Sequence, residues 1–176
     1  MNDTIKSIAL KNGFIAGITI ILLYVICYVV NVELLTNFWF GLTIIIALIV
    51  LGFVTTAKCK SLQDGYISFR EAFSAYLIPV AIGLLLPMIF LYVLFNFIDL
   101  EAAEMLKEIG LEKTEEIMRR FGAPESEIEK AMEQAALEDS YSIKNITLQY
   151  AFTVLFCGIL GLIAALSMKK KKEELG

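Results

Sequence analysis

The chain has 176 residues, 58% of them hydrophobic, with a mean hydropathy of +0.72 and a formal net charge of −4. An apolar share this far above that of globular domains excludes an ordinary soluble domain. Histidine is absent and the three cysteines form no C-x-x-C pair, which argues against a thiolate or imidazole metal site.

The N-terminal arm MNDTIKSIALKN is too polar for a signal-peptide n-region, and no A-x-A-like site follows the first apolar block. That block, Gly13 to Val32, reads as an uncleaved span, since about 20 apolar residues cross a bilayer. A second run covers Phe38 to Ala57, a third Glu71 to Ile98 and a fourth Ile146 to Met168, all with uncharged cores. The expected fold is all-α: a four-transmembrane-helix antiparallel bundle with a small extracytoplasmic helical insertion between helices three and four. Residues 1–98 would hold the arm and three spans, 99–145 the insertion, and 146–176 the last span and a Lys-rich tail.

The first span offers Gly13-x-x-x-Gly17 as a close-contact face. Cys27 there, like Cys157 later, suits the role of a small hydrophobe, whereas Cys59 falls in the expected loop after the second span. That loop ends in GYISFREAF, where Ser68 and Glu71 have capping-box spacing ahead of a long apolar run. Along the third span Ala75, Pro79, Gly83 and Pro87 recur every four residues. Small residues permit close helix approach and each proline removes a backbone hydrogen bond, so this face is a candidate for both bending and packing.

From Asp99 to Asn145 the composition turns acidic, and two or three short helices are expected. Gly110 would end the first, which either extends the third span or stands apart from it. Gly122 would end the second. The third would begin at Pro124 or, through a Ser126–Glu129 capping box, at Ser126. Glu115, Glu116, Ile117, Phe121, Ile128 and Met132 form a candidate partner face, with a solvated connector as the alternative. The carboxylates here lack the oxygen spacing of a calcium loop. In the fourth span Gly158 and Gly161 mark a further candidate helix contact.

Threading follows from the basic residues near span ends. With four spans, the arm, the loop between spans two and three, and the tail share one side and hold nine of the fifteen Lys and Arg residues. The segment 99–145 carries thirteen acidic and six basic residues on the other. Both termini are expected in the cytoplasm of an inner-membrane protein, with the acidic segment outside.

GYISFREAFSAY, followed by a Pro- and Gly-containing span, an acidic helical segment and a last span ending in lysines, resembles a bacterial family of small membrane proteins. It is the domain of unknown function family 4199, and the likeness covers roughly Lys6 to Lys170. The resemblance implies a membrane protein and carries no activity, cofactor or catalytic residue to transfer.

No nucleophile motif, Walker loop or zincin motif is present, so no enzyme, cofactor or metal is expected. Expected partners are the lipid bilayer and either further copies of the chain or another membrane protein, not nucleic acid. The leading functional expectation is an accessory or scaffold protein acting through its acidic helices. Its rival is a small transporter-like or lipid-binding protein built on the bent third helix.

Overall fold

A computed structural model describes residues 3–170, so lysines 171 and 172 of the expected tail lie outside the described residues. Six α-helices carry the fold: α1 (Asp3–Val30), α2 (Phe38–Ser61), α3 (Phe69–Val93), α4 (Leu100–Arg120), α5 (Glu125–Leu137) and α6 (Ile143–Met168). A 3-10 turn, Val32–Thr36, joins α1 to α2, and a π-helical turn, Leu94–Ile98, ends α3. Among the described residues there is no strand, only an isolated bridge between Ile67 and Lys170.

Four helices are long and apolar enough to cross a membrane: α1, α2, α3 with its π turn, and α6. Ile18, Leu22, Val50, Leu155 and Phe156 along them are more than half exposed, which suits contact with lipid rather than water. This is a multi-pass membrane protein. The helices overrun the apolar runs: α1 begins ten residues before Gly13, and Cys59 is buried within α2 rather than lying in a loop.

Helix α3 is the hub and packs against α1, α2 and α6. Partner numbers along it rise with α1, where Gly13 sits on Pro79 and Ile82 and Gly17 on Leu86. They fall with α2, where Leu48 meets Gly83 and Gly52 meets Tyr76, and Gly161 of α6 covers the other side of that ring. Ala75, Pro79, Gly83 and Pro87 are all buried along the inside of α3. The two prolines sit inside a continuous helix and leave the carbonyls of Ala75 and Gly83 without their usual helical donors.

The two ends of the bundle have separate small cores. Ile5, Cys59, Ile67, Ala72, Ala75 and Ala165 gather the start of α1, the end of α2, the start of α3 and the end of α6. Leu94, Phe95, Ala102 and Leu106 close the opposite end with Tyr28, Leu35 and Tyr141 packed against them. The basic segments within the described residues thus share one end, and the acidic helices occupy the other.

One expectation for the acidic segment needs correction, and two open alternatives are decided. Helix α4 runs unbroken through Gly110, and the third span does not continue into it, because Asp99 breaks the path with φ −138° and caps α4. One mid-helix glycine costs only about 1 kcal/mol against alanine. Anchors on both sides of it, from Lys107 to the Ala136 carbonyl (2.5 Å) and Lys113 to Thr36 Oγ1 (2.6 Å), keep α4 in place. Helix α5 begins at Glu125 with Pro124 at the cap position, so the Ser126 start is not used. Gly122, at φ +74°, ends the preceding helix as expected.

Candidate functional site

The Ser68–Glu71 box forms in full. Ser68 Oγ accepts from the Glu71 amide at 3.3 Å, and Glu71 Oε2 accepts from the Ser68 amide at 3.2 Å. Its role is to start α3 in register, so that every fourth residue from Ala75 faces inward. Gly13, Gly17 and Gly161 are genuine close contacts: a Cβ on Gly17 would lie 2.6 Å from Leu86 Cδ1, and one on Gly161 2.6 Å from Tyr76 Cδ1. Gly158 has more room, its nearest neighbour being Leu77 Cδ1 at 3.8 Å.

Tyr76 is fully buried between Gly52 and Gly161, with Phe53 edge-on at 5.5 Å between ring centroids. This ring holds α2 and α6 on its two sides. Further along α3, toward the acidic end, the space between α2 and α6 is a partly open cleft of about 330 Å³. Gly83, Leu84, Pro87, Met88 and Leu91 of α3 form its floor. Gly41, Ile44 and Ile45 of α2 line one wall, and Ile146, Gln149, Tyr150 and Thr153 of α6 line the other. Leu35, Phe95, Ser140 and Tyr141 close the end nearest the acidic helices.

No lining residue is charged. The polar groups are hydroxyls and one side-chain amide, several already in use: Thr153 donates to the Gln149 carbonyl (2.8 Å) and Tyr150 to the Ala81 carbonyl (3.2 Å). Pro87 cannot donate to the carbonyl of Gly83, which places a backbone acceptor without its helical partner beside the floor. The volume falls in the range of small-ligand pockets, roughly 300–1,000 Å³.

The acidic end of the cleft is fixed by a cluster that local sequence patterns do not announce. Tyr28 of α1 donates to Asp99 Oδ2 at 2.5 Å, while Asp99 Oδ1 accepts the Ala102 amide at 2.9 Å. These bonds, led by that from Tyr28, hold the Asp99 carboxyl below its ordinary range. Asn96 donates to the Tyr141 carbonyl (2.9 Å), and the Tyr141 ring packs on Phe95 at 4.5 Å. Burial pushes the Tyr141 hydroxyl up to about 12.

The six residues of the candidate partner face differ in exposure. Ile128 is buried, Met132 is half-buried, and Ile117 and Phe121 are exposed. Glu115 and Glu116 pair with Arg119 (3.0 Å) and Arg120 (2.6 Å), and Glu125 also holds Arg119 at 2.6 Å. The two glutamates around Arg119, Glu125 first, raise its pKa. Among the described residues no group of three or more Cys, Asp or Glu side chains is arranged to hold a metal ion.

A family model described as Protein of unknown function (DUF4199) matches residues 11–170. The chain belongs to that family. The matched region takes in α1 from Lys11 onward and all of α2 to α6, so the cleft and the capping box lie within the DUF4199 region. No curated protein and no solved structure matches the chain.

Proposed function

We propose that this DUF4199 protein is a non-enzymatic membrane protein that binds an uncharged amphiphile in the cleft between α2 and α6. The observation that carries the reading is the lining: an apolar floor on Gly83 and Pro87, hydroxyl and amide groups near the acidic end, and no charge. An ionised group placed there without a partner would lose its hydration with nothing in exchange. A molecule with an apolar tail and a hydroxyl- or amide-bearing head meets complementary groups along its whole length.

In this reading the bundle is antiparallel and sits in the cytoplasmic (inner) membrane. Both termini face the cytoplasm, and the acidic helices form an extracytoplasmic insertion. The directions of the α1–α3 and α2–α3 pairings and the gathering of basic segments at one end support that placement. The cleft mouth then lies toward the outer leaflet.

Native mass spectrometry of protein extracted from its own membranes tests the proposal. A neutral amphiphile retained by the wild type and lost from Gly41→Leu is expected. Gly41 lines the cleft and a Cβ there meets nothing within 4 Å, so a larger side chain has room to start into it. Equal retention by both proteins refutes the assignment.

A second reading, an accessory subunit docking another membrane protein or a further copy through α4 and α5, is favoured by the exposure of Phe121 (87%) and Ile117 (54%). Its mark would be a second polypeptide, or a second copy, at fixed stoichiometry in the same spectrum.

A further inference from the structure

At the end opposite the cleft, the turn from α2 to α3 and the residues after α6 border an open recess of about 540 Å³ with charged and amide side chains on its rim. The turn is tight: Asp64 and Gly65 both take left-handed backbone angles, φ +55° and +83°. Beyond it, Ile67 and Lys170 exchange two backbone hydrogen bonds, 3.0 and 2.9 Å, which fixes the start of the tail against the recess. The Lys170 ammonium lies 5.4 Å from the centre of the Tyr66 ring.

Two features of this recess point to a ligand. Gln63 Nε2 is buried and has no hydrogen-bond partner, although it lines the recess. Such a group ordinarily finds one. Asp64, Glu71 and Lys170 also share the recess without pairing, since the ion pairs of the described residues all lie in α4 and α5. The capping box uses only Oε2 of Glu71. Opposite charges in one recess that do not touch leave room for a group that answers both.

The site lies where apolar helices end, between the exposed side chains of Leu62 and Phe69, at the level of lipid headgroups. We propose that the recess binds a phosphoethanolamine group, a phosphate joined through two carbons to an ammonium. The phosphate takes donors from Gln63 Nε2 and Lys170 Nζ, and the ammonium faces Asp64 and Glu71. An anionic headgroup without an amine would meet two carboxylates uncompensated, and a lone cation would leave Gln63 without a partner. The zwitterion satisfies both.

The full-length protein in mild detergent is offered phosphatidylethanolamine and phosphatidylglycerol with identical chains, and retained lipid is read by native mass spectrometry. The variants are Gln63→Glu, Asp64→Asn and Lys170→Met. Asparagine accepts the left-handed angle at position 64, and the methionine leaves the Ile67 bridge intact. Wild type should prefer the ethanolamine lipid, and each variant should reduce that preference about tenfold, the loss of one charge-assisted bond, with an unchanged thermal midpoint. Competition by soluble phosphoethanolamine would support the same chemistry from a water-soluble source, and retention of lipid despite it would support the bilayer as the source. Equal retention of phosphatidylglycerol, displacement by inorganic phosphate alone, or stabilisation by Mg²⁺ alone that Asp64→Asn abolishes would each overturn the proposal. So would an unchanged preference in Lys170→Met.

Discussion

Gly158 and Gly161 lie one turn apart on α6, and the structure assigns them different consequences on substitution. In Gly161→Ala the new methyl would fall 2.6 Å from Tyr76 Cδ1, 2.9 Å from Cε1 and 3.4 Å from Phe73 Cε2. The ring has no free direction of retreat. Its other edge already lies against Gly52, where an added Cβ would be 2.7 Å from Cδ2, and Phe53 stands edge-on beside it. Forcing one extra carbon into a filled core of this kind costs about 1–3 kcal/mol. In Gly158→Ala the methyl meets only Leu77 Cδ1 at 3.8 Å, an ordinary contact. The gain in helix propensity, up to about 1 kcal/mol, then leaves that variant neutral or stabilised. Equilibrium unfolding of the two variants in one mild detergent, read by helical circular dichroism, separates them. Gly158→Ala unfolding as early as Gly161→Ala would refute the idea that Tyr76 wedges α2 and α6.

Gly110→Ala should raise stability by about 0.5–1 kcal/mol, because the site is helical and open; a loss in the same unfolding assay would show that the glycine is needed in α4. The Asp99 carboxyl is held below its ordinary pKa, so its contribution is complete above the usual value of about 4 and disappears as pH falls through the lowered one. Acid titration of stability should therefore be flatter in Asp99→Asn than in wild type, and identical acid slopes would contradict the role given to Tyr28. Charge reversal at Glu115 and Glu116 breaks two exposed ion pairs worth about 0–1 kcal/mol each. It should leave amphiphile binding intact, as measured by native mass spectrometry, while abolishing any partner that docks on α4. Protease added to intact cells should cut between α4 and α5 at the Gly122 turn; protection there, with cutting in inverted vesicles, would reverse the proposed orientation.

The long apolar runs and the S-x-x-E spacing at Ser68 were enough to locate the spans and the start of α3, because both signals are local. The four-residue stripe on α3 also read correctly as a packing face, since helical geometry alone brings Ala75, Pro79, Gly83 and Pro87 to one side. Gly110 misled because a single glycine lowers helix stability only slightly, and the anchors at Lys107 and Lys113 reach partners 29 and 77 residues away. The exposure of the six partner-face residues was legible only in part, for a similar reason. Amphipathic spacing puts Ile128 on an apolar side but does not show that it is buried while Ile117 and Phe121 stay exposed. The cleft had no sequence signature, for it is a space bounded by α1, α2, α3 and α6 that only their packing creates. Asp99 left a partial sign, a potential N-cap before LEAAEML, but its bond to Tyr28 spans 71 residues.

The claim that an uncharged amphiphile occupies the α2–α6 cleft is tested most directly by titration of a monoacylglycerol, and of the fatty acid with the same chain, into purified wild type and Gly41→Leu. The account predicts saturable binding of the neutral ligand to wild type, at least about tenfold weaker binding of the carboxylate, and little binding of either to Gly41→Leu. Equal affinity for the two ligands, or binding that survives in Gly41→Leu, would contradict it.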